Sequence, residues 1–252
     1  MENLFNPFSL HGKTILVTGA SSGIGKAIAV YCSKLGAHLI IIGQNEVKLR
    51  ATFSELKGDN QYIIADLTKS TDVQRLATQV PNLDGIVHCA GIGSRIPCKM
   101  ISRINIDEVM GINFDAPVLI QTALLGNKKI NKGASIVFLS SRAANAPSIG
   151  NAIYSASKGA ILSYAKCLAL ELSNRLIRVN CVCPGMVWTD LILKDGISEE
   201  QLHESELKYP LKRFGNVEDI AYLVIYLLSD ASSWMTGSAI DISGGGEGIL
   251  TL

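Results

Sequence analysis

The chain has 252 residues, of which 48% are hydrophobic and 18% are charged. This composition supports a large apolar core and excludes a disordered or fibrous chain. The net charge of +1 offers no basic excess for nucleic acid or an anionic membrane. The N-terminus lacks a signal-peptide pattern, and no apolar run reaches the ~18 residues typical of a membrane span. We therefore expect a cytoplasmic protein without nucleic-acid or membrane partners.

Short apolar runs bounded by Gly, Asn, Asp or Pro alternate with stretches of helical spacing. The predicted strands are Thr14–Val17, His38–Ile42, Gln61–Ala65, Gly85–His88, Ser135–Leu139, Arg178–Val182 and Ala239–Ile242. The predicted helices are Ile24–Lys34, Val47–Leu56, Asp72–Gln79, Ile106–Leu125, Ala152–Leu172 and Val217–Leu228. Runs of Ile, Leu and Val without alternation are typical of parallel strands buried on both faces. The order predicts a doubly wound α/β sheet with helices on both faces, and no linker divides residues 1–252 into separate domains.

Residues 186–210 interrupt this alternation, because they follow a predicted strand without adding another. The segment begins with apolar residues and continues with the polar stretch SEEQLHESELK. A long insertion at the carboxyl end of a parallel strand is well placed to cover a ligand crevice. We interpret it as a substrate lid; the alternative is a surface excursion packed on the body of the protein.

A glycine-rich turn follows the first predicted strand and opens the first predicted helix. Glycines allow a tight turn and a close approach of the backbone to a ligand, and a helix N-terminus attracts a diphosphate. The candidate cofactor residues of this turn are Gly19, Ser21, Ser22, Gly23, Ile24 and Gly25. An ordinary glycine-rich turn is the alternative, but the strand-to-helix context favours a dinucleotide site.

Tyr154 and Lys158 are four residues apart in a predicted helix and therefore share one face. A nearby ammonium favours the phenolate and lowers the pKa of a tyrosine, which could then exchange a proton near neutral pH. Ser141 follows the end of another strand, and Gly185 follows Pro184 at the end of a later one. Because ligands bind at the carboxyl edge of such sheets, we expect these groups to lie near one another.

Together these motifs resemble the classical short-chain dehydrogenase/reductase family over about residues 10–246. The matching motifs are TGASSGIG at 18–25, ADL at 65–67, HCAG at 88–91, Asn113, SS at 140–141, YSASK at 154–158 and PGMVWT at 184–189. The closest subgroup in appearance is the 3-oxoacyl-acyl-carrier-protein reductases, to which the endings LKRFGNVEDIA and SSWMTG are also similar.

The resemblance implies a Rossmann fold and an NAD(P)-dependent oxidoreductase that acts on a small carbonyl or secondary-alcohol substrate. Tyr154 would be the general acid/base, Lys158 would lower its pKa and bind the nicotinamide ribose, and Ser141 would hold the substrate oxygen. Asn113 would hold a water that extends a proton relay through Lys158; taken alone, it could equally be a helix-interior Asn bonded to its own backbone. The family usually forms tetramers, so a homotetramer or homodimer is expected. Separately from the resemblance, Cys181 and Cys183 form a C-x-C with no histidine at ligand spacing, so we expect no zinc site.

The family pattern also assigns cofactor contacts beyond the glycine-rich turn. Asp66 and Leu67 would border the adenine, Gly91 would let the backbone pass the adenosine ribose, and Thr189 would reach the carboxamide. The remaining expected contacts are Gln44, Asn45, Ala90, Tyr154, Lys158, Pro184, Gly185 and Val187.

Two departures from the family pattern affect these expectations. His88 and Cys89 stand where the family usually has two asparagines, and we interpret them as a structural histidine and a buried filler. After the second strand, Gly43 and Gln44 provide neither the acid typical of NAD-binding members nor the arginine typical of NADP-binding members. We predict a modest preference for NADP(H), with neutral donors at the phosphate; the rival reading has Gln44 on the ribose diol and NAD(H) preferred.

Two other function classes remain open from the sequence. One is a non-catalytic nucleotide-binding regulator on the same fold, which would not need Asn113, Ser141, Tyr154 and Lys158 together. The other is a sugar-nucleotide epimerase or dehydratase, which can share the Tyr and Lys spacing but usually carries a larger C-terminal substrate domain. The sequence does not identify the substrate.

Overall fold

A seven-stranded parallel sheet forms the centre of the computed structural model, which describes residues 5–193 and 198–246. The strands are β1 Thr14–Thr18, β2 His38–Gly43, β3 Gln61–Ile64, β4 Leu83–His88, β5 Ile130–Leu139, β6 Arg178–Pro184 and β7 Ala239–Ile242. Their order in the sheet is β3-β2-β1-β4-β5-β6-β7. This arrangement confirms the predicted doubly wound α/β fold.

Helices cover both faces of the sheet. They are α1 Gly23–Lys34, α2 Glu46–Glu55, α3 Ser70–Gln79, α4 Arg103–Met110, α5 Ala116–Gly126, α6 Ala152–Glu171, α7 Asp190–Leu193, α8 Glu199–Lys208 and α9 Val217–Leu228. Side chains of α1, α2 and α9 pack on one face, and those of α3, α5 and α6 pack on the other. Successive residues of a strand pack on opposite faces of the sheet. In β1, Leu16 packs on the face covered by α3, α5 and α6, whereas Ile15 and Val17 pack on the face covered by α1, α2 and α9.

The strand order reverses at β1, which pairs with β2 on one side and β4 on the other. The chain passes to one face of the sheet after β1 and to the opposite face after β4. A crevice therefore opens between these two connections, beyond the carboxyl ends of the strands. Thr18 ties its two sides together, because its Oγ1 accepts hydrogen bonds from the backbone N–H groups of Cys89 at 3.1 Å and Ala90 at 3.2 Å.

The predicted helix 106–125 differs from the structure. The helical run begins at Arg103, after a capping box of Ser102 and Asn105, and a π turn at Gly111–Asp115 separates α4 from α5. Such turns often occur at functional sites, and this one contains Asn113. Helical periodicity in the sequence does not reveal one extra residue in a turn.

The helical run Arg103–Gly126 is also long and apolar enough, by length and composition alone, to cross a membrane. In the structure it packs against α3 and α6. The core helix of a globular domain passes the same test, so this feature is weak support for a membrane span.

Candidate functional site

A cavity of about 760 Å³ opens at the carboxyl ends of the strands. It brings together the glycine-rich turn, the end of β2, the loop after β4, the catalytic candidates and the start of the proposed lid. The predicted residues that line it are Gly19, Ser21, Ser22, Gly23, Ile24, Gly25, Gln44, Asn45, Leu67, Ala90, Gly91, Ser141, Tyr154, Lys158, Pro184, Gly185, Val187 and Thr189. Asp66 and Asn113, also predicted, are not among the lining residues.

Glycine is required in the turn after β1 for two different reasons. Gly19 has a φ of +68°, and an added Cβ would lie 2.7 Å from the Ala90 backbone. Gly25 has ordinary helical backbone, but its added Cβ would collide with the Gly19 carbonyl. The turn is therefore held tightly against both the helix and the loop after β4.

The first turn of α1 offers its N–H groups to the cavity. Its N-cap residue, Ser22, makes no capping hydrogen bond with its side chain. The hydroxyl of Ser21 is buried and has no hydrogen-bond partner among the described residues. Uncapped N–H groups at a helix N-terminus and a buried free hydroxyl suit a bound diphosphate and ribose, so the residues present fit a dinucleotide.

The catalytic candidates meet where β5 ends beside α6. Tyr154 is half-buried in the first turn of α6, and Lys158 Nζ lies 5.8 Å from the centroid of its ring. Ser141 follows β5, and its Oγ accepts a hydrogen bond from Ala143 N at 3.1 Å. The phenol and the Ser141 hydroxyl both line the cavity, where a carbonyl oxygen could contact them.

Lys158 is buried, and it forms no ion pair with a carboxylate of the described residues. Its Nζ donates a hydrogen bond to the Leu139 carbonyl at 2.9 Å. Burial lowers the pKa of Lys158 to about 8, although nearby Cys89, Cys181 and Cys183 act in the opposite direction. The ammonium next to Tyr154 can therefore lose its proton close to neutral pH.

Asn113 uses its side-chain amide to fix the loop after β4. Its Oδ1 accepts from Ile92 N at 2.8 Å, and its Nδ2 donates to Ile92 O at 3.0 Å and to Ser157 Oγ at 3.1 Å. The amide does not bond the helix's own backbone in these contacts, which was the alternative considered above. These bonds use both amide hydrogens, so a relay water near Asn113 would have to donate to the second lone pair of Oδ1 or bind main-chain groups.

The departure at His88 and Cys89 is accommodated in the core. The His88 ring stacks on Phe138 with centroids 4.6 Å apart, and its Nε2 lies 3.2 Å from Gln121 Oε1. Burial lowers the pKa of His88 to about 4, against the hydrogen bond to Gln121, so the ring is neutral. Burial likewise raises the pKa of the Cys89 thiol to about 12, against the charge of Lys158. Neither group has the pKa of a catalytic base or a reactive thiolate.

The end of β2 differs in detail from the sequence-based expectation. Gln44 Nε2 donates to Asp66 Oδ1 at 2.7 Å, so this amide group faces a carboxylate. Asp66 also accepts from Thr68, and Asn45 caps α2 by accepting from Lys48 N at 2.9 Å. Lys48 lines the cavity here, although the sequence reading placed no basic residue at this site.

An aromatic cluster supports the segment 186–214. Trp188 and Tyr209 pack on Phe214, and the Glu206 carboxylate accepts from Trp188 Nε1 at 2.6 Å and Phe214 N at 3.0 Å. Burial raises the pKa of Glu206, but hydrogen bonds from Phe214, His203 and Trp188 outweigh it and leave the pKa below its usual value. Residues 194–197 of the proposed lid lie outside the described residues.

Several cavity residues were not named as site residues from the sequence. Among them are Lys48 and Arg142, and also Met186, Asp190, Ile192 and Tyr209, which belong to the segment interpreted as a lid. Arg142 could have been expected in the cavity, because it directly follows Ser141. In the structure it forms an ion pair with Asp241. The described residues contain no group of three or more His, Cys, Asp or Glu side chains placed to hold a metal ion.

Known proteins and a family model are similar to this chain over most of its length. A family model described as Enoyl-(Acyl carrier protein) reductase matches residues 19–247. The 3-oxoacyl-acyl-carrier-protein reductase of Rickettsia bellii is 35% identical over 236 residues, covering 94% of this chain and 97% of the relative. A short-chain dehydrogenase/reductase structure of the glucose/ribitol dehydrogenase type from Brucella melitensis has a TM-score of 0.90 at 30% identity, covering 98% and 100% of the two chains. A candidate NAD(P)-dependent gluconate 5-dehydrogenase from Beutenbergia cavernae, with NADP bound at low occupancy, has a TM-score of 0.85 at 30% identity, covering 95% and 98%.

Proposed function

The chain belongs to the short-chain dehydrogenase/reductase family of NAD(P)-dependent oxidoreductases, and we propose that Tyr154 is the general acid/base of its reaction. The substrate is a small carbonyl compound or the corresponding secondary alcohol. The observation that carries this proposal is the convergence of Ser141, Tyr154 and Lys158 in a cavity that also contains the glycine-rich turn.

The nicotinamide cofactor supplies or accepts the hydride. In the reducing direction, Ser141 Oγ donates a hydrogen bond to the carbonyl oxygen and stabilises the negative charge that develops there. The Tyr154 hydroxyl donates its proton to the same oxygen, which leaves a phenolate and releases an alcohol. Oxidation of the alcohol reverses both steps.

Lys158 has two roles in this proposal. Its ammonium lies under the Tyr154 ring and favours the phenolate by electrostatic attraction. It also binds the nicotinamide ribose. Asn113 acts as a positioning residue, since its three hydrogen bonds fix the backbone of the loop that carries Gly91 and reach the helix of Tyr154 through Ser157. A water near Asn113 would extend the relay from Lys158.

We propose that NADP(H) binds more tightly than NAD(H), by about tenfold or 1.4 kcal/mol. Gly43 places no carboxylate at the end of β2, where one would repel a 2′-phosphate. The substitution Gly43→Asp does not test this cleanly, because its Cβ would displace the Ser21 hydroxyl, which is itself an expected cofactor contact. Dissociation constants for NADPH and NADH decide the preference, and tighter binding of NADH would favour the rival reading.

We also propose one catalytic domain over residues 1–252, with a lid at 186–210 that closes over bound ligands, in a cytoplasmic homotetramer or homodimer. Cavity-lining residues of this segment, including Met186, Ile192 and Tyr209, support the lid. Exposed apolar side chains on the outer helices, among them Ile104, Leu119 and Leu170, support self-association. Light scattering coupled to gel filtration gives the number of subunits.

A turnover screen tests the function as a whole. The purified protein is mixed with NADPH or NADH and a panel of ketones that includes acyl thioesters and keto sugars, and loss of nicotinamide absorbance is followed. We expect consumption of reduced cofactor with at least one member of the panel. Tight cofactor binding without turnover of any ketone or alcohol would instead favour a nucleotide-binding regulator.

A further inference from the structure

The first turn of α2 places a lysine beside the ribose end of the proposed cofactor site. Lys48 lines the cavity together with Gln44 and Asn45, directly after β2 ends at Gly43. The cap from Asn45 to Lys48 N fixes the backbone from which this side chain extends. The lysine therefore extends from a helix that begins beside the place where the adenosine ribose would lie.

Lys48 spans the edge of the cavity to reach the start of α7. Its Nζ lies 3.5 Å from Asp190 Oδ2, and the two side chains are 55% and 64% exposed. Asp190 follows Thr189, whose methyl group lies beside Gly23 at the start of α1. This ion pair thus connects the ribose side of the site to the proposed lid. At this distance and exposure it is weak and readily exchanged.

The other described cations of the cavity are committed elsewhere. Arg142 pairs with Asp241, and Lys158 donates to the Leu139 carbonyl beneath Tyr154. At the end of β2, the Ser21 hydroxyl lies against Gly43 and has no hydrogen-bond partner among the described residues. Gln44 faces Asp66. Lys48 is therefore the described cavity cation that extends from the β2 side of the site, and its ion pair with Asp190 is weak.

We propose that Lys48 is the residue that recognises the 2′-phosphate of NADP(H), and that Asp190 competes with the phosphate for it. This rests on the proposed function, and it replaces the set of purely neutral donors expected from the sequence. A phosphate monoester carries about −1.5 to −2 charges at neutral pH, more than one carboxylate. Binding of NADP(H) then exchanges the Lys48–Asp190 pair for a Lys48–phosphate pair, whereas NAD(H) leaves the original pair in place.

Calorimetry tests this with NADPH and NADH, and with adenosine 2′,5′-bisphosphate and adenosine 5′-monophosphate as fragments. Lys48→Gln should weaken NADPH and the bisphosphate about tenfold and leave NADH and the monophosphate within about twofold. Asp190→Asn should strengthen NADPH by about threefold, because the competitor for Lys48 loses its charge. Arg50→Gln is the matched control, since Arg50 lies on the same helix but pairs with Glu46. This variant should leave the dissociation constants of both cofactors unchanged.

Equal weakening of NADPH and NADH in Lys48→Gln would overturn the proposal, as would an unchanged ratio of the two dissociation constants. Weaker NADPH binding in Asp190→Asn would also contradict it, because the carboxylate would then be assisting rather than competing. These outcomes concern only phosphate recognition. Failure of the wild-type protein to bind either cofactor would contradict the proposed function itself.

Discussion

The two halves of the cavity are built in different ways. The cofactor half is fixed by backbone: Gly19 packs against Ala90, and Thr18 bonds the loop after β4. The described part of the proposed lid is instead held by a side chain, because Trp188 Nε1 and Phe214 N both donate hydrogen bonds to the Glu206 carboxylate. The difference teaches that the cofactor half depends on a close main-chain approach between the glycine-rich turn and the loop after β4, which leaves no room for a side chain at Gly19. The half facing the substrate depends instead on one side-chain carboxylate, which accepts hydrogen bonds from residues 8 and 18 positions away.

The largest effect is expected where the two halves meet, at Tyr154. Tyr154→Phe removes the transferable proton, so kcat should fall by about 10²–10⁴-fold. The dissociation constant of NADPH should rise by no more than about tenfold, because the variant keeps the ring and loses at most one hydrogen bond to the cofactor. Steady-state kinetics and calorimetry measure the two effects. Tyr164→Phe is the control, since that ring packs on Phe138 in the core. A near-normal kcat in Tyr154→Phe would contradict the proposed role of Tyr154 in proton transfer.

A single added methyl group in the glycine-rich turn should disrupt cofactor binding. Gly19→Ala places a Cβ 2.7 Å from the Ala90 backbone at a φ of +68°, and should weaken NADPH binding by about a hundredfold. Gly133→Ala is matched, with a φ of +79° and no atom within 4 Å of the added Cβ. The control should cost about 1 kcal/mol of stability and leave binding unchanged. If both variants bind NADPH equally well, close packing of the turn does not determine affinity.

Lys158 should be required for activity but unfavourable for folding. Its pKa is about 8 in the folded protein, against an ordinary value of 10.5. Below pH 8 the buried charge carries its full cost; from pH 8 to 10.5 the folded protein releases the proton before the unfolded chain does, so stability from this group rises with pH.

Lys158→Met should lose activity, yet gain up to about 3 kcal/mol of stability at neutral pH without cofactor. Denaturant unfolding of both proteins at a series of pH values gives the difference curve. The gain should shrink as the pH rises through this window. A variant that is less stable than wild type at every pH would show that the hydrogen bond to Leu139 outweighs the buried charge.

The lid half should respond to loss of Glu206 with a smaller and more selective effect. Glu206→Ala leaves the Trp188 indole and the Phe214 N–H without their acceptor, so KM for the carbonyl substrate should rise by about threefold to tenfold. NADPH affinity should barely change. Glu204→Ala, an exposed residue of the same helix, should behave as wild type. An equal loss of NADPH affinity in Glu206→Ala would mean that the two halves are not separable.

The same division explains what the sequence could predict. The glycine-rich turn, Ser141, Tyr154 and Lys158 belong to local motifs at strand ends, and the sheet order then places them in one cavity. The Lys48–Asp190 pair and the Glu206 cluster join segments that only the folded chain brings together. The π turn around Asn113 depends on packing between helices, which periodicity within one helix does not report.

Hydrogen exchange in four states tests most directly whether the site has a fixed half and a responsive half. The states are the free protein, the protein with NADPH, the protein with a substrate or product alone, and the ternary complex. We expect amides of β1 and β4 to be protected in all four, and amides of 186–193 and 198–210 to gain protection chiefly in the ternary complex. Equal protection of the segment 186–210 in every state would contradict this account.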